Sequence, residues 1–357
     1  MLAAKPLVIR FGAMGDMVLL IPLLKALQQR YGLPCDLVTS GAWTRPLMQR
    51  VPACGSVQLL TSRRTPYLFN RSQWQLVSFL RQRPPAPVYV FESDDKSHSL
   101  LRRGGVKPEW ICTIRDLPTL PGEHIAAHAL RLANQTPSAL RDRPEYEVKT
   151  SLAPDARPLL SDADRHDCAR WIEHHHLKDS PLVLIQAGNK KTMKGGNRQR
   201  RSNVDYWPEA NWGEVIARIR EHLPTSQVII CGTPSERPLA EAIVQLIPGS
   251  HSGVLIATED LPIPRLLALQ ERAHSMISVN TGPAHSAAAM GCPVVVMFTR
   301  HSHRGAELYS PVPTSGAVKI LLPVSTAPDA GLDHITPAEV VNAWTEMVTS
   351  ELSSRPN

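Results

Sequence analysis

The chain has 357 residues, 43% hydrophobic, 20% charged and 5% aromatic, and carries a formal net charge of +7. That mix excludes wholesale disorder, a collagen-like repeat and a bare coiled coil, and the length suits two domains of about 100–200 residues, each able to bury its own core. The basic excess favours acidic partners: nucleic acid, phosphorylated small molecules or an anionic membrane surface.

In chain order, a β-prone run over residues 7–11 leads into Gly12-Ala13-Met14-Gly15-Asp16, and apolar residues at helical spacing follow over 18–27. Strand, glycine turn and helix are the first step of a doubly wound parallel sheet. The longest apolar run, 17–24, is eight residues with Pro22 inside it, against the roughly 20 that span a bilayer. Arg10 and Asp16 interrupt this stretch, which argues against a cleavable signal and for a cytoplasmic chain. Further strands are expected at 35–39, 56–60 and 88–91, with helices at 71–81 and 125–132. Residues 137–164, rich in proline, arginine and aspartate, read as the interdomain link, with one short strand over 146–150.

The second half repeats the plan. Strands are expected at 182–185, 228–231, 276–279 and 294–298, and helices at 210–221, 237–246 and 285–290. A last helix, 337–352, opens with Thr336 as N-cap, Pro337 at the first helical position and Glu339 three residues after the cap, and either half is open to it as a docking surface. The expected division is therefore 1–160, 161–335 and a terminal helix in 336–357. Two such parallel sheets would bind ligands at the carboxyl ends of their strands, where all the motifs below fall.

Asp16 ends the first glycine turn, where it either caps the helix or serves as a proton acceptor. The turn, with Gly12, Met14 and Gly15, lacks both Gly-x-Gly-x-x-Gly and the Lys-Ser/Thr ending of a phosphate loop. An acid at its mouth would repel a pyrophosphate, so this half suits an acceptor hydroxyl. Asn280-Thr281-Gly282-Pro283-Ala284-His285 is the opposite case: a strand, a small turn and a helix of small residues, whose first N–H groups suit a diphosphate. An ordinary joint capped by Thr281 or Asn280 has the same spacing, and His285 either packs on the sheet or donates to a phosphate.

Six basic residues and no acid lie between Asn189 and Asn203, around Gly195-Gly196, so that this segment reads either as a solvated loop or as a flap that orders on a phosphate. Lys194, Arg200 and Arg201 are its candidate diphosphate contacts. Glu236, after a further strand, either accepts from ribose hydroxyls or is a first-turn helix acid. Glu92, Asp94 and Asp95 are not an Asp-x-Asp triplet and read as a solvated loop, with no metal site expected. His174, His175 and His176 read as an exposed run. The six cysteines form no Cys-x-x-Cys pair and read as free thiols of a reducing compartment.

The segments 8–19, 206–212 (with Tyr206-Trp207-Pro208), 231–236 and 277–294 together resemble the family 9 glycosyltransferases, typified by ADP-heptose lipopolysaccharide heptosyltransferases. The resemblance runs from about residue 6 to 350 and is most specific in 277–294. It implies a GT-B architecture: two Rossmann-like doubly wound domains facing a central cleft, acceptor on the first and nucleotide sugar on the second. It further implies metal-independent inverting transfer of a heptose from an ADP-sugar to an inner-core hydroxyl, with no cofactor. By position Asp16 becomes the general base, Thr281, Gly282 and His285 fall in the diphosphate turn, and Glu236 falls where the nucleoside is contacted. Two departures stand out. Asn280 replaces the family's usual aspartate, and Asp205 lies where a lysine is usual, leaving Arg200 and Arg201 as the nearest cations. The implied partners are an ADP-sugar and a phosphorylated lipid-linked saccharide, met at the cytoplasmic face of an anionic inner membrane, with no nucleic acid. The alternatives are a nucleotide-sugar epimerase on a related fold and a non-enzymatic nucleic-acid binder using 189–203; the latter segment has no interleaved aromatics for base stacking.

Overall fold

The computed structural model describes residues 5–147, 154–189, 192–193, 203–300, 305–327 and 330–354. The chain forms two compact units, Met1–Leu159 and Leu160–Asn357.

In the first unit the elements are β1 (Leu7–Ile9), α1 (Met14–Val18), α2 (Ile21–Tyr31), β2 (Cys35–Thr39), α3 (Thr44–Met48), β3 (Cys54–Leu59), α4 (Arg71–Gln82), β4 (Val88–Val90), α5 (Asp95–Arg103), β5 (Ile111–Thr113) and α6 (Ile125–Ala133). The strands form one parallel sheet in the order β3-β2-β1-β4-β5, with Leu7 opposite both Asp36 and Val88. Central β1 is an uninterrupted apolar run because helices cover both its faces. Leu7 and Ile9 pack with Val38, Val88, Val90, Leu76 and Leu80 in the core on one side of it. Strand order reverses between β1 and β4, and the carboxyl ends of those two strands are where such sheets offer a ligand site.

The second unit comprises α7 (Asp162–His174), β6 (Leu182–Gln186), α8 (Glu209–His222), β7 (Gln227–Cys231), α9 (Arg237–Gln245), β8 (Val254–Ala257), α10 (Ile263–Arg272), β9 (Ser275–Val279), α11 (Gly282–Met290), β10 (Val294–Met297), α12 (Ala306–Tyr309), β11 (Val318–Leu321) and α13 (Pro337–Ser354). Its parallel sheet runs β11-β10-β9-β6-β7-β8, with the reversal between β6 and β9. The terminal helix belongs to this unit: it packs on α8, β10 and β11, and the Trp344 indole N–H donates to Ser275 Oγ at 2.8 Å. Its capping box forms, Thr336 Oγ1 and N–H both donating to Glu339 Oε2 at 2.7 Å. Trp207 of the Tyr-Trp-Pro segment is a core residue, 1% exposed, set edge-on against Trp212 and donating to Ile335 O at 2.8 Å.

Three expectations change. The strand at 146–150 is absent over its described part: Pro144–Tyr146 is a 3-10 turn, because Pro144 fixes a helical φ and supplies no ladder donor, and residues 148–150 lie outside the described set. The expected link 137–164 already contains the start of α7, whose Ser161 side chain accepts from Asp164 N–H in a capping box. Asp94 and Asp95 are not a solvated loop: Asp94 Oδ1 accepts from the N–H groups of Lys96 and Ser97 and starts α5.

Candidate functional site

At the reversal point of the first unit, β1 ends at Ile9 and the next residue turns its guanidinium along the strand ends. Arg10 Nη1 donates to Phe91 O at 2.9 Å, Nη2 donates to Asp16 Oδ1 at 2.8 Å, and the group lies over the Phe91 ring at 4.9 Å. Asp16 stands in the first turn of α1, where its Oδ2 also accepts from Ala13 N–H at 2.8 Å. It is therefore both a helix-start acceptor and a carboxylate at the strand ends, and it is only 6% exposed. A Cβ on Gly12 would fall 2.6 Å from the Asp16 carboxylate, so this close approach requires glycine. Gly15 is buried and Met14 half-buried in the same turn.

The network extends to β4. Glu92, read from sequence as part of a solvated loop, is 9% exposed; Oε1 accepts from Phe11 N–H at 2.8 Å and lies 3.4 Å from Arg10 Nη1. Arg63 lies 3.0 Å from Glu92 Oε2 and 2.5 Å from Asp94 Oδ2, with its guanidinium 4.3 Å from the centre of the Phe11 ring. Burial pushes the Glu92 carboxyl above its ordinary range, while the Phe11 N–H, Arg10 and Arg63 pull it back and Asp94 adds to the rise. Charges alternate along the chain of contacts Asp16, Arg10, Glu92, Arg63, Asp94. Its chemical capacity is a fixed carboxylate able to accept a proton, in a network of three acids and two guanidinium groups that is buried at Asp16, largely buried at Arg10 and partly exposed at Arg63 and Asp94.

The reversal point of the second unit is built differently. Thr281 is the N-cap of α11, in extended backbone, and its hydroxyl makes no capping bond. Asn280 N–H donates to Met297 O at 3.0 Å, and Gln270 Nε2 donates to Pro283 O at 2.9 Å, so the turn is pinned from both neighbouring elements. Ala284, Ala287, Ala288 and Ala289 are fully buried, letting α11 lie close on the sheet. His285 is 5% exposed. The first N–H groups of a helix have no intrahelical acceptor, and with the dipole they favour an anion at this end.

Glu236 sits at the end of β7. Its Oε2 accepts from Thr233 N–H and Oγ1, both at 2.8 Å, and its Oε1 accepts from Gln186 Nε2 at 3.1 Å. Gln186 Nε2 also donates to Gly188 O at 2.9 Å, and a Cβ on Gly188 would meet Glu236 Oε1 at 2.6 Å. Glu236 is thus the first-turn acid that its position suggested, through Thr233, and in addition it ties the loops after β6 and β7 together through Gln186, which the sequence did not announce.

The structure brings Gly12, Met14, Gly15 and Asp16 into one turn and Asn280, Thr281, Gly282 and His285 into another. Lys194, Arg200 and Arg201 lie outside the described residues. Arg10, Arg63 and Glu92 were missed as site residues. Arg10 follows an apolar strand directly, the one local signal that a charge is held at a strand end. Among the described residues no group of three or more His, Cys, Asp or Glu is placed to hold a metal ion. No described helix is long and apolar enough to cross a membrane. All six cysteines are free thiols, and burial pushes the Cys54 and Cys231 thiols up to about 12. His174 and His176 are exposed, whereas the His175 ring packs 4.6 Å from that of Trp171.

A family model described as glycosyltransferase family 9 (heptosyltransferase) matches residues 129–320, more than half of the chain. No curated protein sequence matches significantly. Among solved structures, E. coli ADP-heptose LPS heptosyltransferase II superposes with a TM-score of 0.73 at 17% identity, covering 98% of this chain and 100% of its own. A family 9 glycosyl transferase from Veillonella parvula gives 0.75 at 13% identity, with 98% of each chain covered. An E. coli heptosyltransferase solved with ADP gives 0.67 at 16% identity, covering 96% of this chain and 99% of that one. At such identities the likeness is one of fold, and it matches the pair of parallel-sheet units that defines GT-B enzymes.

Proposed function

The chain belongs to glycosyltransferase family 9 (heptosyltransferase), and from that premise we propose that it moves a heptose from ADP-heptose to a hydroxyl of the lipopolysaccharide inner core, with inversion and without a metal ion. The observation that carries this reading is the family match over 129–320, which takes in the whole turn from Asn280 to His285.

In the proposed reaction Asp16 accepts the proton of the acceptor hydroxyl as its oxygen bonds to the anomeric carbon, and the bond from that carbon to the diphosphate breaks. Arg10 and the Ala13 N–H hold the carboxylate in place, and Glu92 balances the guanidinium. The departing diphosphate gathers negative charge, which the start of α11 and the Thr281 hydroxyl stabilise with dipoles fixed in advance. Lys194, Arg200 and Arg201 are the proposed cationic contacts to that group, and Asn280, Gly282 and His285 complete its turn. Glu236 acts on the donor side through the loops it joins. The proposed acceptor is phosphorylated and lipid-linked, reached by peripheral contact with the cytoplasmic face of an anionic membrane.

The test is purified protein with ADP-heptose and a delipidated inner-core acceptor, product mass read by mass spectrometry and anomeric configuration by NMR. Parallel arms use GDP- and UDP-sugars and a chelator. One heptose added only when the acceptor is present, with inverted configuration and undiminished by chelation, is the expected result. Donor converted without acceptor would make the enzyme an epimerase; a preference for a UDP-sugar would remove ADP-heptose as donor.

A further inference from the structure

Three large apolar side chains stand in solvent within one short stretch of the first unit: Leu68 is 71% exposed, Phe69 80% and Trp74 47%. Single exposed apolar residues are ordinary, but a cluster calls for a physical account. The backbone beneath them is built rather than loose. Thr65 N–H donates to Ser62 Oγ at 3.1 Å, Asn70 Nδ2 to Ser62 O at 2.7 Å, and Gln73 Nε2 to Ser62 O at 3.0 Å and Thr65 O at 2.9 Å. Asn70 and Gln73 are each 5% exposed, and the Arg103 guanidinium covers the Tyr67 ring at 4.6 Å. The turn Tyr67–Phe69 is therefore a fixed ledge that holds Leu68 and Phe69 outward.

The ledge continues onto α4. Positions 71, 74, 78 and 81 share one helical face, and Arg71, Trp74, Ser78 and Arg81 are all exposed there. Between Asp36 and Glu92 the chain carries seven arginines and neither a lysine nor an acid, a charge equal to the +7 of the whole chain. Arg63 is engaged by Glu92 and Asp94, and Arg83 by Asp36. Arg64 and Arg71 are exposed and pair with no carboxylate among the described residues.

We propose that the ledge over residues 62–81 docks on an anionic phospholipid bilayer, with Leu68 and Phe69 entering the headgroup–acyl boundary and Arg64, Arg71 and Arg81 meeting lipid phosphates. Apolar tips beside an amphipathic indole and unpaired arginines match the layered chemistry of that surface. A second copy of this chain would bring the same cations against themselves. A nucleic-acid backbone would leave Leu68 and Phe69 in water. The surface rests on the proposed function only in its purpose, which is to bring the enzyme to a lipid-anchored acceptor.

The experiment is co-sedimentation with vesicles of phosphatidylcholine and phosphatidylglycerol, against pure phosphatidylcholine, in low and high salt and without substrates. The chain should bind the anionic vesicles alone and be released by salt. Phe69→Ser should weaken binding about tenfold, and Arg64→Gln and Arg71→Gln about fivefold each. All of these sites are exposed, so melting temperatures should stay unchanged. Absence of anionic-vesicle binding overturns the proposal. So does binding that Leu68→Ser/Phe69→Ser and Arg64→Gln/Arg71→Gln leave intact, a dimer in sedimentation equilibrium that Phe69→Ser dissolves, or RNA binding that competes the vesicles away. Turnover on a delipidated acceptor separates this from the proposed function. Transfer without vesicle binding removes the docking surface alone, whereas vesicle binding without transfer removes the heptosyltransferase reading alone.

Discussion

The reversal point of the first sheet gathers Asp16, Arg10, Glu92, Arg63 and Asp94 in an alternating series of ion pairs, whereas that of the second sheet, from Asn280 to His285, holds Thr281, Gly282 and backbone amides with no carboxylate among its six residues. The first site is electrostatic through side chains, and each buried charge there needs a partner because desolvation costs several kcal/mol per ion. The second is electrostatic through the backbone, whose dipoles are already paid into the fold and do not reorganise when an anion arrives. Each arrangement suits the charge it is proposed to meet: a carboxylate for a proton, amides for a diphosphate. Substitutions should therefore act very differently at the two places.

The largest effect is expected at Asp16. Asp16→Asn keeps the shape and removes the proton acceptor, so turnover should fall about 100- to 10,000-fold while ADP-sugar affinity, measured by titration calorimetry, is unchanged. Turnover within a few-fold of the parent would take Asp16 out of the chemistry. Next comes Arg10→Ala, which leaves Asp16 and Glu92 without the cation between them. A loss of about 3 kcal/mol is expected in urea unfolding. Arg10→Lys should lose less, since it keeps the charge and gives up only the forked geometry.

The second site should respond in binding rather than in stability. Thr281→Ala removes a hydroxyl that caps nothing, so the melting temperature should hold. One lost hydrogen bond to a charged group would weaken donor binding about tenfold. A drop in stability without a change in donor affinity would make Thr281 a structural residue and erase the contrast between the sites.

Why one site was legible and the other only in part follows from where their partners lie in the chain. Asn280 to His285 is a contiguous strand-turn-helix, and so is Gly12 to Asp16, so both could be read locally. Arg10 and Glu92 meet only because β1 pairs with β4, and nothing near Glu92 in sequence announces a partner 82 positions away. Glu92 therefore passed for one acid in a polar loop with Asp94 and Asp95. The short strands β5, β8 and β11 are all sheet-edge strands and were overlooked, whereas the equally short β1, β4 and β10 are fully buried, uninterrupted apolar runs and could be read. Helix α7 is largely polar and exposed; its Ser161–Asp164 box was the available signal. The charge of residues 37–91 was hidden by dispersion, whereas the compact basic run 189–203 drew the eye.

The smallest effect concerns pH and Glu92. Burial raises its folded pKa above the ordinary glutamate value, and the two arginines only partly offset this. The folded state consequently holds more protons than the unfolded one between those two values, and stability must fall as pH rises through that window. The contribution is complete below the unfolded pKa and lost above the folded one. Glu92→Gln cannot titrate and keeps an acceptor for the Phe11 N–H, so its urea midpoint should flatten over the same window. At higher pH it gives up the pairing with Arg10 and Arg63, both of which then turn to Asp16 and Asp94. A variant whose midpoint still falls across that window with the parent's slope would show that the ionisation of Glu92 is not what sets it.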